Sequence, residues 1–127
     1  MKKEIIKTEK APSAIGPYSQ AVKVREMVFV SGQLGIDPAR GNLTKGIENQ
    51  TKQALENLKT ILEAASSSLD KIIKTTIYIK DMNNFSVMNK IYASYFAENF
   101  PARCCVEVSK IPKDAEIEIE AIAVCDK

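Results

Sequence analysis

The 127-residue sequence contains no histidine. This absence excludes Ser-His-Asp and Cys-His catalytic machinery, and it also excludes zinc sites that use histidine ligands. The chain has only five glycines, and their spacing forms neither a P-loop nor a G-x-G-x-x-G turn. Any catalysis must therefore use carboxylate, guanidinium, hydroxyl, thiol and backbone groups.

The sequence also lacks a strong charge imbalance and long apolar runs. Its 18 basic and 16 acidic residues give a net charge of +2, which is too balanced to indicate a nucleic-acid or anionic-membrane partner. No apolar run approaches membrane-spanning length, and the first twelve residues lack the apolar core of a signal peptide. We therefore expect a single domain over residues 1–127, located in the cytoplasm.

Cysteine is scarce, and its odd count of three favours reduced thiols over a disulfide framework. Cys104 and Cys105 are neighbours in a predicted strand, so their side chains point to opposite faces. No C-x-x-C spacing is present, and we expect no metal site. For Cys104 we expect a structural role, because cysteine is among the residues most often buried.

Hydrophobic periodicity predicts elements in the order βββαβαββ. The two helices have apolar stripes over 47–65 and 85–96, and Asn83 or Asn84 caps the second. The predicted strands cover 4–8, 21–24, 27–31, 72–79, 103–108 and 116–124. Two helices suffice to cover one face of a sheet, so the pattern predicts an α+β two-layer domain whose other sheet face is uncovered.

The last two strands alternate between apolar and polar residues. The short connection between them predicts an antiparallel hairpin, in which directly paired residues share a face. Pairing of the apolar sides then places Arg103 and Cys105 on the same uncovered face as Glu118 and Glu120, with Cys104 turned toward the helices. Two interpretations remain open, namely a solvated ion pair or an anion site in which arginine holds a carboxylate and glutamate moves protons.

The predicted uncovered face is not purely polar. Ile122 and Val124 continue the polar side of the last strand, and Ile72 and Tyr78 do the same on the fourth strand. A mixed face of this kind favours a subunit interface over open solvent.

Three separated motifs give the chain a specific resemblance. They are "APSAIGPYSQAV" at 11–22, "SGQ" at 31–33 and "PARCCVEVSKIPKDAEIEIEAIAV" at 101–124. With the intervening helix-strand-helix, they resemble the reactive intermediate deaminase family, RidA (YjgF), over essentially the whole chain. The resemblance implies a chorismate-mutase-like fold, a homotrimer with a cleft at each subunit interface, and hydrolysis of 2-imino acids and their enamines to 2-keto acids and ammonia without a cofactor.

The same resemblance implies roles for individual residues. Arg103 would bind the substrate carboxylate, and Glu118 would orient or activate water. Four further residues would line the cleft: Tyr18, Ser31, Asn89 and Cys105. The Gly16-Pro17 turn would then aim Tyr18 into a neighbouring subunit's site. Cys104 stands where the family often has serine, and its predicted orientation toward the helices implies little functional effect.

Two other functions remain open on the sequence. Some relatives in this family are described as endoribonucleases or inhibitors of translation, but this chain has no basic stripe and only eight aromatic residues. The second alternative is a non-catalytic sensor of small acids that uses the same arginine. Glu118 beside Arg103 favours turnover, since a carboxylate receptor gains nothing from a nearby anion.

Overall fold

The computed structural model of the chain describes residues 2–126, which form two α-helices and six strands of a single sheet. In chain order these are β1 (Lys3–Ile6), β2 (Ala21–Val24), β3 (Met27–Leu34), α1 (Gly46–Ala64), β4 (Ile72–Ile79), α2 (Phe85–Ser94), β5 (Ala102–Glu107) and β6 (Ile117–Val124). Short 3₁₀ turns lie at Leu69–Lys71, Met82–Asn84 and Pro112–Asp114. The predicted element order and α+β class are confirmed.

The strands are arranged in the order β1-β2-β3-β6-β4-β5. Only the β4–β5 pair is parallel among these strands; the other neighbours are antiparallel. The connection from β4 to β5 contains α2, which suits a parallel crossover. Both helices pack against the same sheet face, and α1 also packs on α2.

Helix α1 forms because its apolar residues recur at helical spacing. Leu55, Leu58, Ile61 and Leu62 are fully buried against the sheet, and burial of each such side chain stabilises the fold by about 1.5–3 kcal/mol. The helix ends where Ser66 adopts a left-handed φ of 62°. There the amide of Ser67 donates to the Leu62 carbonyl at 2.8 Å, as in a Schellman motif.

The predicted hairpin between the last two strands is wrong. Strand β4 lies between β5 and β6, so β5 pairs with β4 and forms one edge of the sheet. In these two ladders Thr76 pairs with both Cys104 and Glu120, whereas Thr75 pairs with both Arg103 and Ala121. Arg103 and Glu120 consequently lie on opposite faces of the sheet.

The prediction failed because it assumed that the apolar side of β5 faces the core. Arg103 and Cys105 instead face the helices, where Cys105 packs against the core and Arg103 contacts α2. Cys104, which was expected to face the helices, is exposed on the opposite side, and Val106 beside it is also exposed. An arginine can occupy the helix side because its aliphatic stem packs while its charged head finds polar and aromatic partners.

We call the sheet face opposite α1 and α2 the open face. On strands β6, β4 and β5 the open face carries Thr76, Tyr78, Cys104, Val106, Glu118 and Glu120. The predicted mixed character is present, since Phe29, Val106 and Val124 are exposed. The prediction that Ile72 lies on this face is wrong. Ile72 is buried in the core, because the β4–β6 register shifts between Ile72 and Lys74.

Candidate active site

Glu118 lines a cavity of about 550 Å³ at the end of β3 and the beginning of β6. We call it the Glu118 cavity. Tyr18 and Ser31, both predicted to line the cleft, also line this cavity, together with Gly32 and Lys113. Three of the six predicted site residues are therefore brought together by the fold of one chain.

A β-bulge brings Glu118 against strand β3. Val30 pairs with Ala121 and Gln33 with Ile119, so Ser31 and Gly32 together oppose the single residue Glu120. A Cβ atom on Gly32 would lie 2.0 Å from Oε2 of Glu118 and 2.7 Å from its Cδ. Only glycine leaves room for the carboxylate at this point, and this close approach fixes where Glu118 lies.

The loop that carries Tyr18 is held from both ends. Gly16 has a φ of 116°, which favours glycine, and the Tyr18 amide donates to the Gly16 carbonyl at 2.9 Å. Behind the loop, the buried side chain of Gln20 bonds the amide and carbonyl of Thr8 and the carbonyl of Pro12. These contacts leave Tyr18 half-exposed at the cavity, where it can meet a ligand or a second protein surface.

Ser31 contributes to the same loop in a way that its sequence context did not reveal. Its Oγ donates to the carbonyl of Ser19 at 2.6 Å, and its amide donates to the carbonyl of Gln20 at 2.9 Å. Ser31 therefore ties the Tyr18 loop to β3. This bond uses the hydroxyl proton of Ser31, but the lone pairs of the Ser31 oxygen can still accept a further hydrogen bond.

Arg103 lines a different cavity of about 330 Å³, beside α2 at the β5 edge of the sheet. Asn89, Tyr92, Ala93, Phe100 and Pro101 complete its lining, and we call it the Arg103 cavity. Nη1 of Arg103 donates to Oδ1 of Asn89 at 2.6 Å. Its guanidinium carbon lies 5.0 Å from the ring centre of Tyr92 and 5.5 Å from that of Phe85.

The predicted site residues thus form two groups on one chain. Tyr18, Ser31 and Glu118 belong to the Glu118 cavity, whereas Asn89 and Arg103 belong to the Arg103 cavity. Cys105 follows Arg103 on the helix side but lines neither cavity. Burial raises the pKa of the Cys105 thiol, and the nearby charge of Arg103 only partly opposes this shift. A raised pKa argues against Cys105 as a thiolate nucleophile.

The electrostatics of the open face favour a carboxylate that exchanges protons. Burial raises the pKa of Glu118, and the negative charge of Glu120 raises it further. Tyr78 donates from its hydroxyl to Oε1 of Glu120 at 3.2 Å. Glu118 accordingly holds a proton at higher pH than an ordinary glutamate, as suits a group that both accepts and returns protons.

Within 2–126, no group of three or more acidic or cysteine side chains lies close enough to hold a metal ion. In the same part of the chain, neither helix has the length and apolar character needed to cross a bilayer.

Comparison with known proteins identifies the family. The family described as endoribonuclease L-PSP matches residues 8–125. The chain belongs to this family. The match includes both cavities and all six predicted site residues, and it confirms the resemblance predicted from the three sequence motifs.

Relatives within the L-PSP family are similar over nearly their whole length. A RutC family protein of Pyrococcus horikoshii is 59% identical over 122 residues, covering 95% of this chain and 97% of the relative. The 2-iminobutanoate/2-iminopropanoate deaminase of Salmonella typhimurium is 50% identical over 122 residues, covering 94% and 95%. A crystal structure of Escherichia coli TdcF with bound serine is 44% identical, with a TM-score of 0.94 and coverage of 97% and 99%.

Sequence reasoning missed the side chains that hold the two charged groups. The spacing of Phe85 and Tyr92 predicts only the apolar stripe of the second helix, yet both rings lie beside the Arg103 guanidinium. Gly32 carried a usable signal, because a glycine inside a strand often marks a bulge or a close approach. No comparable signal identified Phe100, which is exposed at the Arg103 cavity.

Replacing Gly32 with alanine is expected to lower turnover by about tenfold or more while leaving the protein folded, since a displacement of about 1 Å can be costly. The new Cβ would displace the flexible end of Glu118 rather than backbone atoms. Turnover rates and melting temperatures should be measured for the native protein, G32A, E118Q and G32A/E118Q. If G32A slows the E118Q variant as much as it slows the native protein, Gly32 does not act by positioning Glu118.

Proposed function

We propose that this protein hydrolyses small 2-imino acids and their enamine tautomers to 2-keto acids and ammonia. One observation carries the proposal: the chain holds a guanidinium clamped by α2 and, separately, a half-buried carboxylate with a raised pKa. Near-half identity to relatives named 2-iminobutanoate/2-iminopropanoate deaminase supports the same reaction. TdcF, the relative with bound serine, supports a small-molecule ligand with a carboxylate.

The chemistry requires positioning more than a nucleophilic side chain. Arg103 binds the substrate carboxylate with the donors that Asn89 leaves available, and its positive charge favours an anion. Water attacks the carbon of the protonated imine while Glu118 accepts one of its protons, giving a neutral tetrahedral carbinolamine. Glu118 then gives that proton to nitrogen and takes the hydroxyl proton as the C–N bond breaks. The 2-keto acid and ammonia leave, and ammonia carries the last proton away as ammonium, so that Glu118 is ionised again.

The two cavities form one site when two copies of the chain meet. Arg103 of β5 lies on the helix side of the sheet, whereas Glu118 of β6 lies on the open face, and β4 separates the two strands. One subunit would therefore supply Arg103 and Asn89, and its neighbour would supply Glu118, Tyr18 and Ser31. The apolar side chains exposed on the open face support such an association. We accordingly propose a homotrimer with a site at each of its three interfaces.

The trimer gives a direct expected result. Light scattering coupled to size exclusion should report a mass three times the 14.0 kDa of the chain. Burial of the apolar open face is the reason, since a monomer would leave Phe29, Val106 and Val124 in water. A measured mass equal to that of one chain at every concentration from micromolar to millimolar would contradict both the trimer and the shared site.

An RNA-directed function is less supported, although the family carries the description endoribonuclease. The chain has a net charge of only +2 and no histidine for general acid–base cleavage. The candidate site instead combines Arg103 and Lys113 with carboxylates, and Glu118 and Glu120 would repel a phosphodiester backbone. The arginine therefore suits a single carboxylate better than a polyanion.

A coupled assay tests the proposed reaction. Serine dehydratase generates 2-aminoacrylate from serine, and lactate dehydrogenase reports the pyruvate that forms when the enamine is hydrolysed. Addition of this protein should speed pyruvate release and remove the lag that free 2-aminoacrylate causes. Binding of 2-ketobutyrate without any acceleration would instead support the non-catalytic sensor of small acids.

A further inference from the structure

The Arg103 guanidinium contacts three residues of α2. Asn89 accepts a hydrogen bond from Nη1, and the rings of Tyr92 and Phe85 lie near the guanidinium carbon. Guanidinium groups are attracted to aromatic faces, so these contacts restrict a side chain that is otherwise flexible. The orientation of the Tyr92 ring therefore bears directly on where the remaining N–H donors point.

A hydroxyl pair in the core fixes that ring. Tyr92 and Thr75 are both buried, and Oη of Tyr92 lies 2.8 Å from Oγ1 of Thr75. Thr75 is also the residue of β4 that pairs with Arg103 of β5. The pair thus joins the ring below the guanidinium to the strand that positions the arginine backbone.

Stability alone does not require these hydroxyls. Two buried hydroxyls must bond each other to offset their desolvation, and replacement of both by apolar groups of similar shape is nearly neutral for folding. Burial also raises the pKa of Tyr92, so the ring stays neutral beside the arginine. A phenylalanine and a valine would fill the same space without fixing the ring by a directional bond.

We infer that Tyr92 and Thr75 are positioning residues for Arg103, and that their hydrogen bond orients the guanidinium toward the carboxylate of the substrate. The inference rests on the proposed function, in which Arg103 anchors that carboxylate. Tyr92 acts through Arg103, so its loss should weaken substrate binding more than it slows the chemical step at Glu118.

Two variants separate positioning from packing. Y92L removes the ring and should raise KM, and Kd for 2-ketobutyrate, by about five- to thirtyfold, as expected for a desolvated cation–π contact. The double variant Y92F/T75V keeps the volume and removes both hydroxyls. Its melting temperature should stay near that of the native protein, but its KM should remain raised by about threefold or more, with kcat changed less than KM.

Two controls complete the experiment. M88A creates a cavity at a fully buried position of α2 that does not line the Arg103 cavity, so it should lower the melting temperature and leave KM unchanged. A native KM in Y92F/T75V, or an equal rise in M88A, would overturn the inference and leave Tyr92 as ordinary core. If R103A itself leaves KM and Kd unchanged, the proposed function fails instead.

Discussion

Replacing Arg103 with alanine is expected to weaken the binding of 2-ketobutyrate by about 10- to 100-fold, equivalent to about 1.5–3 kcal/mol for hydrogen bonds to a charged group. The substitution removes the cation of the Arg103 cavity and leaves Asn89 without its bond from Nη1. Substrate capture depends on that cation, so kcat/KM for imine hydrolysis should fall at least as far. Calorimetric titration with 2-ketobutyrate and the coupled rate assay measure the two effects.

The matched control for this experiment is R103K. Lysine keeps the positive charge but lacks the planar fork and its stacking on Tyr92 and Phe85, so it should recover only part of the affinity. R40A removes an exposed arginine that lines neither cavity and should change nothing. Unchanged binding by R103A would show that the carboxylate is held elsewhere.

Replacing Glu118 with glutamine is expected to lower kcat by about 10²–10⁴-fold, the usual cost of losing a general acid–base group. Glutamine keeps the shape beside Gly32 but cannot accept the proton of water. Binding of 2-ketobutyrate should survive, since the group that contacts the carboxylate is on the other half of the site. E120Q, which changes the neighbouring carboxylate, should lose much less activity.

The pH profile gives an independent check on Glu118. Burial and the charge of Glu120 raise its pKa, so the carboxylate becomes protonated at higher pH than an ordinary glutamate. Activity that needs the ionised base should therefore fall as pH decreases through this raised value. E120Q should move the acidic limb to lower pH, because it removes the neighbouring negative charge. Full activity in E118Q would assign water activation to another group.

Much of the fold followed from local patterns. The apolar stripe of α1 and the strand patterns at 21–24, 27–31 and 72–79 predicted these elements within a few residues. Strand order was harder, because alternation within β5 and β6 does not reveal that β4 lies between them. The error reversed the faces of Cys104 and Arg103, since a strand's face depends on its partner as well as on its own pattern.

Residue type and motif indicated the candidate site residues but not their geometry. Arg103 and Glu118 were expected to act together across one hairpin, whereas the chain places them on opposite faces of the sheet. In the proposed site they cooperate across two copies of the chain, which no pattern within one strand pair could indicate. The residues that fix them, Gly32 through close approach and Tyr92 through a buried hydroxyl, depend on contacts between distant segments.

The measurement that tests the shared site most directly mixes two inactive variants. R103A retains Glu118 and E118Q retains Arg103, so neither alone can complete a site between copies. When the two are unfolded, mixed in equal amounts and refolded together, random assortment should restore about a quarter of the native sites, each with its two halves from different chains. Recovery of about that activity is the predicted result. A mixed oligomer that forms normally, yet stays as inactive as its parents, would contradict a site built from two subunits.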